Sequence, residues 1–278
     1  MSLVNMNELF PKPYDGSWAI GAFNVHNLEF IHAVIEAAEM ERSPVTLAIA
    51  PLSIKYLGLE MIGSAALEAA DRAAVPVAVH LDHARDLEVV DRALRLGFTS
   101  VMYDGSSLPL DENIEKSARM VQAARSRNAT SEAEVGILSQ FGQNASEDFT
   151  DPSAAERMVA ETGVDFLAVS VGTVHAMPTQ GARVDLKLLG SLHSTLSVPM
   201  VLHGSSGVVD EDLGPAIRNG IGKVNIGTYL KGIFTMGLQK RLNRSDPGDL
   251  FDYMPEVVAE IRQGVRLKLR LLGSSGVI

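Results

Sequence analysis

The stretch "VPVAVHLDHARD" (75–86) ends an apolar run on His80, Asp82 and His83. Withdrawing such groups from water costs about 1–3 kcal/mol for each one left without a partner. Placing three of them at the end of an apolar strand therefore calls for a function that holds them there. Two further histidines follow apolar runs in the same way: His175 just after "FLAVSVG" (166–172) and His203 in "VPMVLHG" (198–204). Three imidazoles from three strands suit a metal ion, because catalytic zinc takes three protein ligands and keeps one position open for substrate. Asp104, Glu134, Asn225, Asn24 and His26 also fall at or near strand ends. His80, two residues before Asp82, is read as support for the ligands, whereas His32 and His193 lie in helical stretches and are read as structural.

A second group of residues suits an anion. "LHGSSG" (202–207) places Gly204, Ser205, Ser206 and Gly207 in a loop of small residues, which lets successive backbone N–H groups turn toward a negative charge. "NIGT" (225–228) carries Gly227 and Thr228 into the start of a helix, whose N-terminus also favours an anion.

Such groups need elements that bring them together. Short runs rich in Val, Ile and Ala recur eight times, at 19–25, 45–50, 75–82, 100–105, 131–136, 166–172, 198–204 and 223–228. Helical patterns follow them, at 28–41, 58–73, 86–96, 110–127, 152–162, 185–194, 210–219 and 229–242. Most runs are continuously apolar, as in strands covered on both faces of a parallel sheet. Eight βα units predict a single (β/α)8 TIM barrel with an additional C-terminal helix, one domain over 1–278. In that fold the active site lies at the C-terminal ends of the strands, where the candidate residues fall, and phosphate is usually held by the loops after strands seven and eight. The competing open doubly wound sheet wants a glycine-rich turn after its first strand, and "VHNLEF" has no glycine. The last helix is expected over 255–273, opened by Pro255 and stopped by Gly273. Its Arg262, Arg266 and Arg270 share one face, expected to be solvated or to meet an anionic group in a neighbouring subunit.

The formal net charge of −10 argues against nucleic acid as a partner, since phosphate-backbone binding wants a basic surface. A small anion needs only a local positive field. The absence of cysteine removes disulfides, thiolate nucleophiles and Cys-type zinc sites. No secretory signal pattern and no bilayer-length apolar stretch are found, so a cytoplasmic protein without a membrane partner is expected.

Taken in order, "GAFNV" (21–25), "HLDH" (80–83), "SVMYDGS" (100–106), "EAEVG" (132–136), "GTVH" (172–175), "LHGSSG" (202–207) and "KVNIGT" (223–228) resemble the signatures of class II, zinc-dependent ketose-bisphosphate aldolases. The resemblance covers roughly residues 5 to 275. It implies one Zn2+ per subunit on His83, His175 and His203, with Co2+ or Fe2+ as alternatives and a monovalent cation as an optional addition. It implies Asp82 as acid/base at the hydroxyl where the carbon–carbon bond breaks. Asn225 would stabilise the enediolate. Glu134 and Asp104 would serve a second metal position. Asn24, Gly204, Ser205, Ser206, Gly207, Gly227 and Thr228 would bind the substrate and its phosphate. The implied activity is cleavage of a ketose bisphosphate such as fructose or tagatose bisphosphate to dihydroxyacetone phosphate and an aldehyde, by a homodimer or homotetramer.

The departures from the family pattern cluster on the substrate side. Ala176 stands where a glycine follows the strand-six histidine, and its methyl is expected to crowd the phosphate. "MPTQG" (177–181) lacks the family's lysine. Gly142 stands at the position of the mobile loop's catalytic glutamate, leaving Glu147 or Asp148 as out-of-register substitutes. A family serine after strand two is replaced near Ala50, with Ser53 as a candidate stand-in. These changes keep open another sugar phosphate or a non-catalytic sugar-phosphate-binding protein. A Schiff-base aldolase would need a desolvated lysine at the active rim. Lys223 is expected at the opposite rim and Lys231 in the following helix.

Overall fold

A computed structural model describes residues 2–10, 16–138, 141–142, 149–246 and 248–278. Eight strands close into a barrel in chain order, with every neighbouring pair parallel. They are β1 (Ile20–Asn24), β2 (Val45–Ile49), β3 (Val77–Ala84), β4 (Ser100–Tyr103), β5 (Thr130–Val135), β6 (Phe166–Val169), β7 (Met200–Leu202) and β8 (Ile221–Ile226). The helices are α1 (Leu28–Glu41), α2 (Pro51–Leu57), α3 (Leu59–Arg72), α4 (Leu87–Leu96), α5 (Leu110–Arg125), α6 (Pro152–Thr162), α7 (Leu186–Thr195), α8 (Asp210–Arg218), α9 (Thr228–Leu242) and α10 (Leu250–Leu271).

Side chains alternate between the two faces of a strand, so a barrel strand has an outward and an inward set. Val45, Leu47 and Ile49 of β2 belong to the outer core, together with the apolar faces of the helices. The inward set divides into two zones. Ile20, Ala78, Met102, Phe166, Ala168 and Val201 form an apolar plug, completed by Met6 and Leu9 of a single N-terminal 3₁₀ turn. Above it the barrel is polar: His80, Asp82, Glu132, Glu134, Lys223 and Asn225 are all buried. Period two explains the layering, because His80 and Asp82, Glu132 and Glu134, and Lys223 and Asn225 each stand two apart on one strand.

The helix expected over 58–73 is α3, and an unexpected short helix precedes it. Ala50 caps α2, Pro51 takes its first position, where a missing N–H removes no helix bond, and Gly58 at φ +84° separates α2 from α3. The C-terminal helix begins at Leu250 rather than at Pro255. Asp249 and Asp252 form a reciprocal capping box, and Pro255 lies inside the helix. Gly273, at φ +74°, follows its end as expected.

The arginine face of α10 is partly solvated, and its anionic partners lie within this chain rather than in a neighbouring subunit. Arg262 Nη1 meets Glu36 Oε2 at 2.6 Å, and Arg266 Nε meets Glu41 Oε1 at 2.6 Å. Arg270 donates to both Glu41 oxygens, at 2.9 and 2.8 Å. Both glutamates belong to α1, so the three arginines clamp α10 onto the barrel's first helix. Glu41 is only 6% exposed. The bond from Arg270, set against burial and aided by Ser275 and Arg266, lowers its carboxyl to about 2.

Candidate active site

Strand β3 sets the site's geometry. Its pairing with β4 shifts register between Leu81 and Ala84, and within that irregularity His83 adopts φ +49°. A left-handed conformation is uncommon for a residue with a Cβ and marks a position held by its surroundings. The shift lets Asp82 and His83, adjacent in sequence, both serve the same rim. The His83 ring lies 5.0 Å from that of His175 and 4.4 Å from that of His203, centroid to centroid. One nitrogen from each of the three histidines lies within 4.8 Å of the others. A second group, His83 with Asp104 and Glu134, meets the same spacing.

The neighbours prepare these groups for a cation. His203 Nε2 lies 3.0 Å from Glu132 Oε1. An ionised Glu132 can only accept, so that bond puts the proton on Nε2 and leaves Nδ1 as a lone pair. Burial first, and the His83 charge next, hold His203 below its ordinary value. The same two causes, in that order, hold His175 at about 3. Burial also opposes the charge on His83, but Asp82, Asp104 and Glu134 outweigh it and raise His83 to about 9. Burial raises Glu134 to about 8, assisted by Asp104, Glu132 and Asp82, and its Oε2 has no hydrogen-bond partner. Three neutral-capable imidazoles with an orphaned carboxyl oxygen beside them form a donor set that fits a divalent ion.

Asp82 is held on both oxygens. Asn24 Nδ2 donates to Oδ2 at 2.8 Å and Asn225 Nδ2 to Oδ1 at 3.0 Å. Burial disfavours its charge, but His83, His203, Lys223 and His80 together keep it below the usual carboxylate range. Asn225 Nδ2 also lies 3.3 Å from His203 Nδ1, so one amide ties the carboxylate to the imidazole. His80 supports this layer from below, with Nδ1 on Ser100 Oγ at 2.8 Å and Nε2 3.3 Å from Lys223 Nζ.

A cavity of about 220 Å3 opens beside the triad, lined by Asn24, Asp82, Gly204, Ser205, Ser206, Asn225, Gly227, Thr228 and Lys231. Ser206 Oγ accepts the Tyr229 N–H at 3.1 Å, capping α9 at its first turn. Gly204 sits at φ +67°, where an added Cβ would stand 2.8 Å from the Val174 carbonyl oxygen. Gly207 does not line this cavity but packs against Met177. Asp104 and Glu134 face a second cavity, of about 720 Å3, which shares His83 and His175 with the first.

Several expectations need correction. Lys223 is not at the opposite rim: β8 starts two residues earlier than expected, which places Lys223 mid-strand and fully buried, with Nζ 2.6 Å from Glu132 Oε2. Ser53 does not replace the missing serine, because its Oγ donates to the Val25 carbonyl and lies 2.9 Å from His26 Nδ1, and it lines neither cavity. Ala176 does line the first cavity, and its main difficulty is the backbone, at φ +58°. Glu147 and Asp148 lie outside the described residues. Glu132 and Lys231 were not anticipated as site residues. The signals available were the two-residue spacing from Glu134 and the first turn of the helix after "NIGT".

Fold and site together define an enzyme of the metal-dependent barrel type. Residues 4–277 match the family described as fructose-bisphosphate aldolase class-II, and the chain belongs to it: it is a class II aldolase, a carbon–carbon lyase of a metal-dependent family. The 6-phospho-5-dehydro-2-deoxy-D-gluconate aldolase of Bacillus licheniformis is 36% identical over 284 residues, 99% of this chain and 97% of the relative. Among solved structures, the YdjI aldolase from Escherichia coli K12 superposes with a TM-score of 0.88 at 30% identity, covering 99% of this chain and 98% of that one. The fructose-bisphosphate aldolase of Campylobacter jejuni, at 21% identity and a TM-score of 0.80 over 93% and 91% of the two chains, shares the fold.

Proposed function

We propose that this chain cleaves a phosphorylated ketose reversibly to dihydroxyacetone phosphate and an aldehyde, with Zn2+ on His83, His175 and His203. The observation that carries the reading is the placement of a doubly clamped, ionised Asp82 beside three convergent imidazoles and next to an anion cradle. A bound divalent ion supplies Lewis-acid polarisation of the substrate carbonyl. The rest falls to side chains. The amides after Gly204, the N-terminus of α9 and Lys231 hold the phosphate and so fix the carbon chain. Asp82 accepts the proton of the C4 hydroxyl as the C3–C4 bond breaks, and the electron pair moves onto the C2 oxygen. Asn225 lines the same cavity, and with the His203 Nδ1 lone pair given to an ion, the amide hydrogen not bound to Asp82 would be free for the developing oxyanion. Asn24 and Asn225 keep the carboxylate from rotating away.

Glu134 and Asp104, 3.6 Å each from His83 Nδ1, are read as residues that would hold a second metal position together with His83. The relative's name makes 6-phospho-5-dehydro-2-deoxy-D-gluconate a candidate substrate beside fructose and tagatose bisphosphates. We read the protein as cytoplasmic and as a homodimer or homotetramer. Among the described residues no helix is long and apolar enough to cross a membrane.

The test is release of dihydroxyacetone phosphate from these three sugars by chelated protein, with and without added zinc. Zinc-restored release from at least one supports the proposal. Release that resists chelation and is trapped by borohydride would replace it with Schiff-base chemistry.

A further inference from the structure

The two carboxylates of the second group are not equally ready for an ion. Glu134 Oε2 is buried without a hydrogen-bond partner and lies 3.6 Å from His83 Nδ1. Asp104 Oδ2 lies at the same distance from that nitrogen, but it is already taken. Arg85, just beyond the end of β3, brings Nε and Nη2 each to 2.9 Å from it. The other oxygen, Oδ1, accepts twice from Ser106, from Oγ at 2.6 Å and from the backbone N–H at 3.2 Å. A carboxylate offers about four lone-pair sites, so Asp104 has none left to give a metal. The Arg85 side chain is 69% exposed and that of Asp104 only 4%, so the acid is fixed and the base reaches in from solvent. A guanidinium stays charged throughout the working pH range, so protonation does not undo the pair.

The two ligand groups compete, because both include His83. An ion drawn toward Asp104 and Glu134 would draw on the imidazole that the triad needs. We propose that Arg85 holds the ion on the triad: its guanidinium stands in for a second cation and closes Asp104 as a ligand. Arg85 is thus a positioning residue that acts through Asp104. This rests on the reading that His83, His175 and His203 hold the ion. Without Arg85, Asp104 Oδ2 and Glu134 Oε2 would both stand open toward His83 Nδ1, in the wall of the larger cavity that all three residues line with Arg85. Two carboxylates with one imidazole suit a harder ion than three imidazoles do, which makes Mn2+ the probe.

The experiment titrates Mn2+ into protein loaded with one equivalent of Zn2+, with free Mn2+ read by electron paramagnetic resonance. Zinc affinity is measured separately by competition with a chromophoric chelator. In Arg85→Ala the Mn2+ affinity should rise at least tenfold over the parent, while the zinc affinity stays within threefold or falls. Adding Asp104→Asn should remove the Mn2+ gain. An Arg85→Ala protein that binds Mn2+ no better than the parent overturns the inference and spares the triad, as does a gain that survives Asp104→Asn. An equal rise in both affinities also overturns it, since the loss of a repelling charge then accounts for both. A parent that takes up no zinc overturns the triad reading, and this inference with it.

Discussion

Replacing Lys223 with methionine tests how the proposed metal ligands are held. Lys223 Nζ and Glu132 Oε2 are 2.6 Å apart, and both side chains are wholly buried. Against the unfavourable effect of burial, Lys223 is the leading influence that keeps the Glu132 carboxyl at about 2. Removing one partner of a buried pair leaves an uncompensated charge and destabilises by about 3–5 kcal/mol. At about 2–4 °C per kcal/mol for a chain of this size, the melting temperature should fall by roughly 6–20 °C. Glu132 would then escape by taking up a proton, after which it no longer fixes the His203 proton on Nε2. Loss of such an orienting carboxylate lowers metal affinity by roughly 10–100-fold. The double variant Lys223→Met/Glu132→Leu replaces the pair with apolar groups, which is often neutral or stabilising. It should therefore regain most of the stability but not the metal affinity. Urea unfolding and zinc competition against a chromophoric chelator measure the two quantities separately. A single variant within about 1 kcal/mol of the parent would refute the buried-pair reasoning. A double variant with parental zinc affinity would show that His203 is not oriented through Glu132.

Asp82→Ala should retain one zinc per chain while cleavage falls by about 10²–10⁴-fold; near-normal turnover would place the acid/base elsewhere. Ala176→Gly should stabilise the protein by roughly 0.5–1 kcal/mol, because a Cβ in the left-handed region costs about 1–2 kcal/mol and glycine's extra unfolded-state freedom offsets part of that. Unchanged or lower stability in denaturant would mean that the native backbone there is not strained. The Glu41 carboxyl, lowered from 4.5 to about 2, stabilises the fold fully above its unfolded value. That stability is lost as the pH falls from about 4.5 toward 2. With Arg270 half-exposed and screened, about 1–2 kcal/mol is expected. Glu41→Gln should flatten the acid limb of the stability profile, and an unaltered limb would deny the clamp this role.

The barrel was legible because parallel strands covered on both faces read as apolar runs, and helices of regular length separate them. The histidine triad was legible for a related reason: an imidazole closing an apolar strand stands out against its neighbours. What the apolar reading hid was the barrel's inner face. Glu132 and Lys223 look like interruptions of a strand, yet period two places them under Glu134 and Asn225, where they neutralise one another. Lys223 was misplaced because β8 starts at Ile221, so a residue taken for a strand's first was its third. The arginine stripe on α10 was visible as a face, but its partners, Glu36 and Glu41, are more than two hundred residues away, and no local pattern connects them. Ala176 was recognisable as an unusual residue. Its left-handed backbone follows from the path of the chain after β6, which spacing does not encode.

The central claim is that three histidines hold the ion on which cleavage depends. Zinc titrated into chelated protein, with release of dihydroxyacetone phosphate followed at each addition, tests it directly. Activity should rise linearly and saturate at one equivalent, and His83→Ala should neither bind that equivalent nor turn over. Cleavage that is independent of zinc, or a full equivalent retained by His83→Ala, would contradict the account.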